Sequence, residues 1–136
     1  MASPVGECKY AEAPERGRMQ LNHINLTVTD AQETGLFLQK YFGLHPREGV
    51  KMSPKFTMLQ DNNGMVVTLI KAEEPETVSY PHTFHIGFIQ DTPAKVDEIN
   101  ARLKADGYDV PPPARLHGSW TFYFTAPGGF TIEVLG

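Results

Sequence analysis

The sequence has a single cysteine, Cys8, so no disulfide can form within the chain. A low cysteine content of this kind is typical of cytoplasmic proteins, and we expect this protein to be cytoplasmic. No apolar stretch approaches the ~18 residues that suggest a membrane helix, and the N-terminus lacks the apolar core of a signal peptide, so no membrane partner is expected. The formal charge is -4 without a basic run, which argues against nucleic acid, because phosphate binding needs clustered Lys and Arg.

The chain does have enough length, 136 residues, for one domain with a hydrophobic core of its own. Residues 1–18 have no hydrophobic periodicity, and we predict a flexible N-terminal tail there. The rest of the chain, residues 19–136, repeats one plan twice. We expect a first module at about 19–72, an acidic, proline-containing linker at 73–82, and a second module at about 83–136.

Each module opens with a histidine in an alternating strand, His23 in the first module and His85 in the second. A helix-like run, a glycine and further extended segments follow in both modules, and each module closes on a turn and a final strand. When the glycines of the two closing turns are aligned, Thr68 falls opposite Glu133. The repeat therefore supplies two histidines and one carboxylate at corresponding strand positions.

The local pattern predicts one strand, one helix and three further strands in each module. In the first helix, Asp30 is the predicted N-cap and Gly43 is the predicted end. The predicted apolar stripe consists of Leu36, Phe37, Tyr41 and Phe42. The other predicted elements are strands at 20–29, 45–51, 55–60, 65–71, 83–90, 108–110, 119–125 and 130–135, and a helix from Pro93 to Gly107.

Strand parity predicts that polar residues of both modules line one cavity, because alternate residues of a strand point to the same side. The residues on that side are His23, Asn25, Thr68, His85, Tyr123 and Glu133. A carboxylate in the middle of an apolar strand is costly unless it is paired or bound to a metal. Two histidines and one acid are enough ligands for one divalent metal ion with open coordination positions, and such a set accepts iron(II), manganese, nickel or zinc.

These residues also carry a resemblance to a known family. The segment Asn22-His23-Ile24, the strand Phe84-His85-Ile86-Gly87-Phe88, and Tyr123 ten residues before Glu133 resemble the vicinal oxygen chelate superfamily. That superfamily includes glyoxalase I, fosfomycin-resistance transferases, extradiol dioxygenases and bleomycin-binding proteins. The resemblance implies an α+β fold in which two βαβββ modules form a cupped, barrel-like mixed sheet in one domain. It also implies a homodimer, in which the metal site can be shared between subunits.

The resemblance further implies roles for individual side chains. His23, His85 and Glu133 would bind the metal, and Tyr123 would take part in catalysis by donating a hydrogen bond to a small-molecule substrate. The candidate substrate-binding residues are Asn25, Thr68, Arg115, His117 and Trp120.

The reaction stays open among dioxygenation, thiol transfer and a lyase reaction. Glyoxalase I usually has a carboxylate in each module, whereas Thr68 is a poor metal ligand and no general base. Fosfomycin transferases hold a phosphonate with several basic groups, for which Arg115 is a single candidate here. The alternative is a non-catalytic, bleomycin-binding type of protein, with which Trp120, Phe122 and the negative net charge are compatible.

Overall fold

The chain folds into two copies of a βαβββ unit, which confirms the expected α+β class. The computed structural model describes residues 19–136, and the predicted tail at 1–18, with Cys8, lies outside the described residues. The first unit consists of β1 (His23–Val28), α1 (Ala31–Phe42), β2 (His45–Pro46), β3 (Phe56–Gln60) and β4 (Val66–Lys71). A short 3-10 helix (Pro75–Thr77) follows in the connection. The second unit consists of β5 (His85–Ile89), α2 (Pro93–Ala105), β6 (Ala114–Leu116), β7 (Ser119–Thr125) and β8 (Thr131–Leu135).

Each unit forms its own four-stranded mixed sheet, and the two sheets share one strand order. The orders are β1-β4-β3-β2 and β5-β8-β7-β6, so β1 and β5 are edge strands. The pairs β1–β4 and β5–β8 are parallel, and the remaining pairs are antiparallel. The two sheets do not close into a barrel, which is consistent with a cupped arrangement. Within residues 19–136, neither α-helix combines the length and apolar character needed to cross a bilayer.

The register of the two sheets confirms the alignment of the modules. In the first sheet, Asn25 pairs with Thr68 across β1 and β4. In the second sheet, Gly87 pairs with Glu133 across β5 and β8. The histidine that opens each module lies two residues before the first member of each pair, so the two histidines correspond as well. Thr68 is therefore the structural counterpart of Glu133.

Both helices begin at a side-chain cap that the sequence supplies. The Asp30 carboxylate accepts a hydrogen bond from the backbone N–H of Glu33 at 2.8 Å, which satisfies one free donor of the first turn of α1. Gly43 ends this helix in the left-handed conformation, with a φ of 71° that glycine adopts without steric cost. Thr92 caps α2 in the same way, and Pro93 occupies its first turn.

Helix α1 joins both modules in one hydrophobic core. It packs on β3 and β4 of its own sheet, while the Phe37 ring lies 6.1 Å from that of Phe124 on β7. The Phe42 ring stacks on that of Phe88 on β5, with 4.2 Å between the ring centroids. Aromatic pairs of this kind contribute about 0.5–1.5 kcal/mol beyond the burial of their area. Because both sheets turn their apolar sides to this shared core, their other faces lie on the outside of the chain.

A polar cluster bridges the modules at the rim of this core. The Tyr41 hydroxyl of α1 donates a hydrogen bond to the carboxylate of Asp106, the residue that caps the end of α2. The guanidinium of Arg102 lies 5.1 Å from the centre of the Tyr41 ring, and Lys40 Nζ lies 3.5 Å from the Asp106 carboxylate. The Lys40–Asp106 pair is exposed and contributes little by itself, so the buried Tyr41 is the central member of the cluster.

Three predicted elements differ from the observed ones. The predicted strand at 108–110 is not formed, and the first short strand after α2 is instead β6, beyond the three prolines at 111–113. Proline has no N–H to donate to a ladder, so pairing starts only after this run. The strand predicted at 45–51 is limited to β2, which has two residues. In α1, Leu36 is 51% exposed whereas Leu38 is fully buried, because the buried positions recur every three or four residues along one side of the helix and Leu36 lies on the other side.

The burial pattern of α1 makes a testable prediction about stability. We expect Leu38→Ala to lower the free energy of unfolding by about 2–5 kcal/mol, because it removes buried methyl groups and leaves a cavity. Leu36→Ala, a matched change on the exposed side, should cost no more than about 0.5 kcal/mol. Urea denaturation of both variants measures the difference. Equal losses would contradict the observed orientation of the helix.

A second prediction concerns the Tyr41–Asp106 hydrogen bond. This bond, followed by the charge of Lys40, holds the pKa of the Asp106 carboxyl below its ordinary value of 3.8. A carboxyl with a lowered pKa in the folded state adds stability above its unfolded pKa, and that stability is lost as the pH falls through the folded pKa. We therefore expect Tyr41→Phe to lower the melting temperature at pH 7, and the difference from wild type to shrink below about pH 4.

The control for this pH dependence is Tyr80→Phe. The Tyr80 hydroxyl donates to the backbone carbonyl of Thr27 at 2.6 Å, and a carbonyl does not titrate in this range. Melting curves of both variants by circular dichroism between pH 7 and pH 2 make the comparison. A Tyr41→Phe effect that is as independent of pH as that of Tyr80→Phe would show that Asp106 is not the acceptor.

Candidate functional site

The side of each sheet that turns away from the helices is called the open face. On the edge strands, alternate residues point to this face and are exposed, whereas the residues between them pack against the core. The open face of β1 carries His23, Asn25 and Thr27, and that of β5 carries His85, Gly87 and Ile89. The polar residues of β1 and β5 therefore lie on the side of each strand that the alternating sequence predicted.

His85 and Glu133 form a close pair on the open face of the second sheet. His85 Nε2 lies 3.4 Å from Glu133 Oε1, beyond the usual length of an N–H···O hydrogen bond. Two ligands that each lie about 2.1 Å from one cation are about 3.0–3.4 Å apart, from octahedral to tetrahedral geometry. The spacing of this pair and the chemistry of its donors therefore suit a divalent metal ion.

Neighbouring groups fix which atom each of these side chains presents. His85 Nδ1 lies 2.9 Å from the backbone carbonyl of Thr83, which can only accept, so in the neutral ring Nδ1 is the donor and the lone pair is on Nε2. The Thr121 hydroxyl donates to Glu133 Oε2 at 2.8 Å, which leaves Oε1 facing His85. The Glu133 side chain is only 13% exposed, so its position is determined by these contacts and by the strand around it.

Gly87 keeps the space beside this pair open. It is the register partner of Glu133, and a Cβ atom built on it would lie 3.9 Å from Glu133 Oε1. That distance allows a methyl group, but a longer side chain at this position would stand next to the free carboxylate oxygen. The absence of a side chain therefore leaves room for a ligand beside Oε1.

Tyr123 lies across the ladder from Glu133 and next to His85. It pairs with Glu133 in the antiparallel β7–β8 register, and its ring meets that of His85 edge to face, with 5.3 Å between the centroids. Burial, and then the neighbouring Glu133 carboxylate, raise the pKa of the Tyr123 hydroxyl above its ordinary value of 10.0. The hydroxyl thus stays protonated at neutral pH and is a hydrogen-bond donor.

The first sheet carries the corresponding positions with different chemistry. His23 Nδ1 lies 3.1 Å from the side-chain oxygen of Asn22, so its Nε2 is the atom left to act as a ligand. The Thr68 hydroxyl donates to Asn25 Oδ1 at 2.8 Å. Since the amide oxygen accepts this bond, the NH2 group of Asn25 is the part that can donate to a ligand. The first sheet therefore offers one imidazole and one amide, without a carboxylate at the Glu133 position.

The three predicted metal ligands do not meet within one chain. Among residues 19–136, no group of three or more His, Cys, Asp or Glu side chains is placed to hold a metal ion. The reason is tertiary: the two sheets share a core on their apolar sides, so the open face with His23 and the open face with His85 and Glu133 are separate surfaces of the same chain. The sequence left open whether the metal site lies within one chain or is shared between subunits, and the sharing between subunits stays a prediction.

Three predicted substrate-binding residues lie away from the His85–Glu133 pair. Trp120 has the parity of the core residue Phe122, and its Nε1 donates to Asp97 of α2 at 2.7 Å. Arg115 pairs with Trp120 across the β6–β7 hairpin, with its guanidinium 5.7 Å from the centre of the indole ring. His117 is exposed at the tip of this hairpin, with a φ of 51°. The alternation of β7 already separates Trp120 from Tyr123, so this placement was readable from the sequence.

The structure adds residues that were not predicted to belong to the site. Gly87 and Thr121 contact the Glu133 side chain or its immediate surroundings, and Thr83 contributes its backbone carbonyl. Parity placed Gly87 with His85 and Thr121 with Tyr123. The contact of Thr83 with an imidazole two residues later depends on how the chain bends before β5, which parity does not describe.

Comparison with known proteins identifies the family. A sequence model described as the Glyoxalase/Bleomycin resistance protein/Dioxygenase superfamily matches residues 20–134. The chain belongs to this superfamily. A solved structure described as a possible glyoxalase from Bacillus cereus is 47% identical, with a TM-score of 0.77 over 87% of this chain and 99% of that one. The resemblance predicted from the sequence motifs is thereby confirmed.

More distant relatives share the fold of this superfamily member. A lactoylglutathione lyase from Agrobacterium tumefaciens is 21% identical, with a TM-score of 0.65 over 85% of this chain and 92% of that one. The oxidase ChaP-H2 is 20% identical, with a TM-score of 0.67 over 86% of this chain and 92% of that one. At these identities the likeness concerns the fold alone. No curated protein sequence matches the chain.

Proposed function

We propose that this superfamily member is a metal-dependent enzyme that binds a small organic substrate through two neighbouring oxygens. The observation that carries the proposal is the His85–Glu133 pair, whose facing atoms are 3.4 Å apart on an open face. Each partner has its other atom engaged, by the Thr83 carbonyl or the Thr121 hydroxyl, so both free atoms are aimed before any ligand arrives. Such outer contacts are typical of metal ligands, because they fix tautomer and orientation.

His23 of a second copy of the chain would complete the ligand set. In this proposal the protein is a homodimer in which the open face of the first sheet of one copy covers that of the second sheet of the other. Within residues 19–136, β1 and β5 each have one strand neighbour, and edge strands of this kind are readily approached by another chain. Exposed apolar residues also support the homodimer: Ile89 on β5 is 79% exposed and Ile70 on β4 is 44% exposed.

The residues of the combined site would have different roles in metal and substrate binding. A divalent ion held by His23, His85 and Glu133 would act as a Lewis acid toward substrate oxygens, and such a set accepts iron(II), manganese, nickel or zinc. Tyr123, kept protonated beside Glu133, would donate a hydrogen bond to a substrate oxygen. Asn25, with its amide oxygen engaged by Thr68, would donate through its NH2 group from the opposite side. These two donors would orient the substrate and stabilise charge that develops on its oxygens.

Dioxygenation and thiol addition fit this arrangement better than isomerisation between two carboxylates. The latter needs a base at the Thr68 position, where the hydroxyl is neutral and already donates to Asn25. A lyase reaction would need a base from elsewhere in the combined site.

The alternative, a non-catalytic protein of the bleomycin-binding type, is less well supported. Trp120 and Phe122 are the aromatic residues compatible with that alternative, but both pack toward the helices and away from the open face. A protein that only binds an organic cation also has no need for an aimed His85–Glu133 pair. The experiment below separates the two possibilities.

We expect Glu133→Ala to abolish the stabilisation of the protein by divalent metal, whereas Glu76→Ala should leave it intact. Glu133 would supply an anionic ligand, while Glu76 is exposed in the short 3-10 helix, where a single charge matters little. A metal that binds only the folded protein raises the melting temperature by mass action. Thermal-shift measurements with and without zinc, nickel, manganese or iron(II) test this directly. A full metal-induced shift in Glu133→Ala would show that Glu133 is not a ligand, and the absence of any metal-induced shift in the wild-type protein would favour the binding-protein alternative.

A second prediction uses the equivalence of the two sheets. Thr68→Glu places a carboxylate at the register position of Glu133, so we expect it to raise the affinity for divalent metal in a calorimetric titration. Thr27→Glu is the charge-matched control, because Thr27 lies farther along the same open face of β1. If both variants raise affinity equally, the gain comes from general charge attraction rather than from the Thr68 position.

A further inference from the structure

The hydroxyl of Thr121 is buried directly behind the Glu133 carboxylate. Thr121 is 1% exposed and lies on β7, two residues before Tyr123. Its Oγ1 atom lies 2.8 Å from Glu133 Oε2 and 2.9 Å from the backbone carbonyl of Val134. Because both acceptors lie within hydrogen-bond distance of Oγ1, the hydroxyl has little freedom to turn elsewhere.

The chemistry of the hydroxyl decides between these two acceptors. It carries one hydrogen, and donation to an ionised carboxylate is stronger than donation to a neutral carbonyl. Donation to Oε2 also satisfies the carboxylate oxygen that lies deeper in the sheet, since Oε1 is the oxygen that faces His85. That leaves Oε1, which faces His85, as the oxygen without a hydrogen bond from Thr121.

The first sheet provides an internal comparison. The register position that corresponds to Thr121 is Phe56, because Phe56 pairs with Ile70 as Thr121 pairs with Leu135. The second module, which has the Glu133 carboxylate, thus has the buried hydroxyl of Thr121 beside it. The first module, which has Thr68 in place of the carboxylate, has the apolar ring of Phe56 at the position of that hydroxyl.

We propose that Thr121 is a positioning residue that fixes the rotamer of Glu133 and makes this carboxylate a ligand through a single oxygen, Oε1. The proposal rests on the proposed metal-dependent function, because it assigns to Thr121 an effect on metal binding. Thr121 acts only through Glu133 and does not touch the metal or substrate. Threonine is suited to this role, since its branched Cβ restricts χ1 and keeps the hydroxyl directed toward Glu133 Oε2.

The test compares two changes at this position in the full-length chain. Thr121→Val keeps the shape and removes the donor, whereas Thr121→Ser keeps the donor. Zinc titration by calorimetry should give an affinity about 10- to 100-fold weaker for Thr121→Val, the range found when an outer partner of a metal ligand is removed. Thr121→Ser should bind within a few-fold of wild type. In a cobalt(II) titration, Thr121→Val should also alter the visible absorption bands, because the carboxylate is free to bind through both oxygens.

The matched control is Thr57→Val in the first module. Thr57 is as fully buried as Thr121, and its hydroxyl lies 3.4 Å from the Ser53 carbonyl, so the change removes a buried hydroxyl without touching Glu133. Its zinc affinity and cobalt spectrum should match those of wild type. If Thr121→Val does not fold, Thr121→Ala against Thr121→Ser makes the same comparison.

Each outcome has one meaning. Wild-type affinity and an unchanged cobalt spectrum in Thr121→Val overturn the positioning role while leaving the metal-dependent function in place. Equal weakening in Thr57→Val also overturns it, because the effect would then be a general loss of a buried hydroxyl. A wild-type protein that binds neither zinc nor cobalt(II) overturns the proposed function together with this inference. Selective weakening in Thr121→Val, with rescue by Ser, supports it.

Discussion

The packing of α1 against both sheets is the contact on which the rest of the structure depends. Phe37 and Phe42 extend from the first module into the second, where they meet Phe124 and Phe88. Burial of apolar area is the dominant favourable term in folding, and here one helix shares it between two sheets. The apolar sides of both sheets are committed to this core, and the polar sides are left outside. Every feature of the candidate site follows from that division.

Local contacts then determine the orientation of the candidate site residues on each open face. Strand alternation decides which residues reach an open face, but hydrogen bonds decide which atoms they present. Backbone and side-chain partners next to His85, Glu133, Asn25 and His23 leave one defined atom or group of each available. Because these partners lie on the same strands or their immediate neighbours, each half keeps its geometry without the other. Rigid elements hold ligand positions more exactly than loops do.

Much of this could be predicted from the sequence. Two alternating strands with a histidine at the same place, and turns at matching distances, indicated the repeat and the correspondence of Thr68 with Glu133. What could not be predicted was how the modules pack, since parity describes one sheet at a time. Parity therefore left open whether His23 reaches His85 and Glu133 within one chain or across two. The stripe through Leu36 was wrong, because the buried positions of α1 lie on one side of the helix and Leu36 lies on the other. A substrate contact for Trp120 was predicted although its parity places it with Phe122, on the side away from Tyr123.

The replacement of a carboxylate by Thr68 has a consequence for how a ligand could lie between two joined open faces. With identical halves, a bound molecule would have two equivalent directions. Here the open face of the second sheet presents the carboxylate of Glu133 and the phenol of Tyr123, while the corresponding positions of the first sheet are Thr68 and Met58. The two open faces therefore differ in charge and polarity at these two register positions. A molecule with one oxygen-rich end and one hydrocarbon end would have a single favourable direction between two such faces.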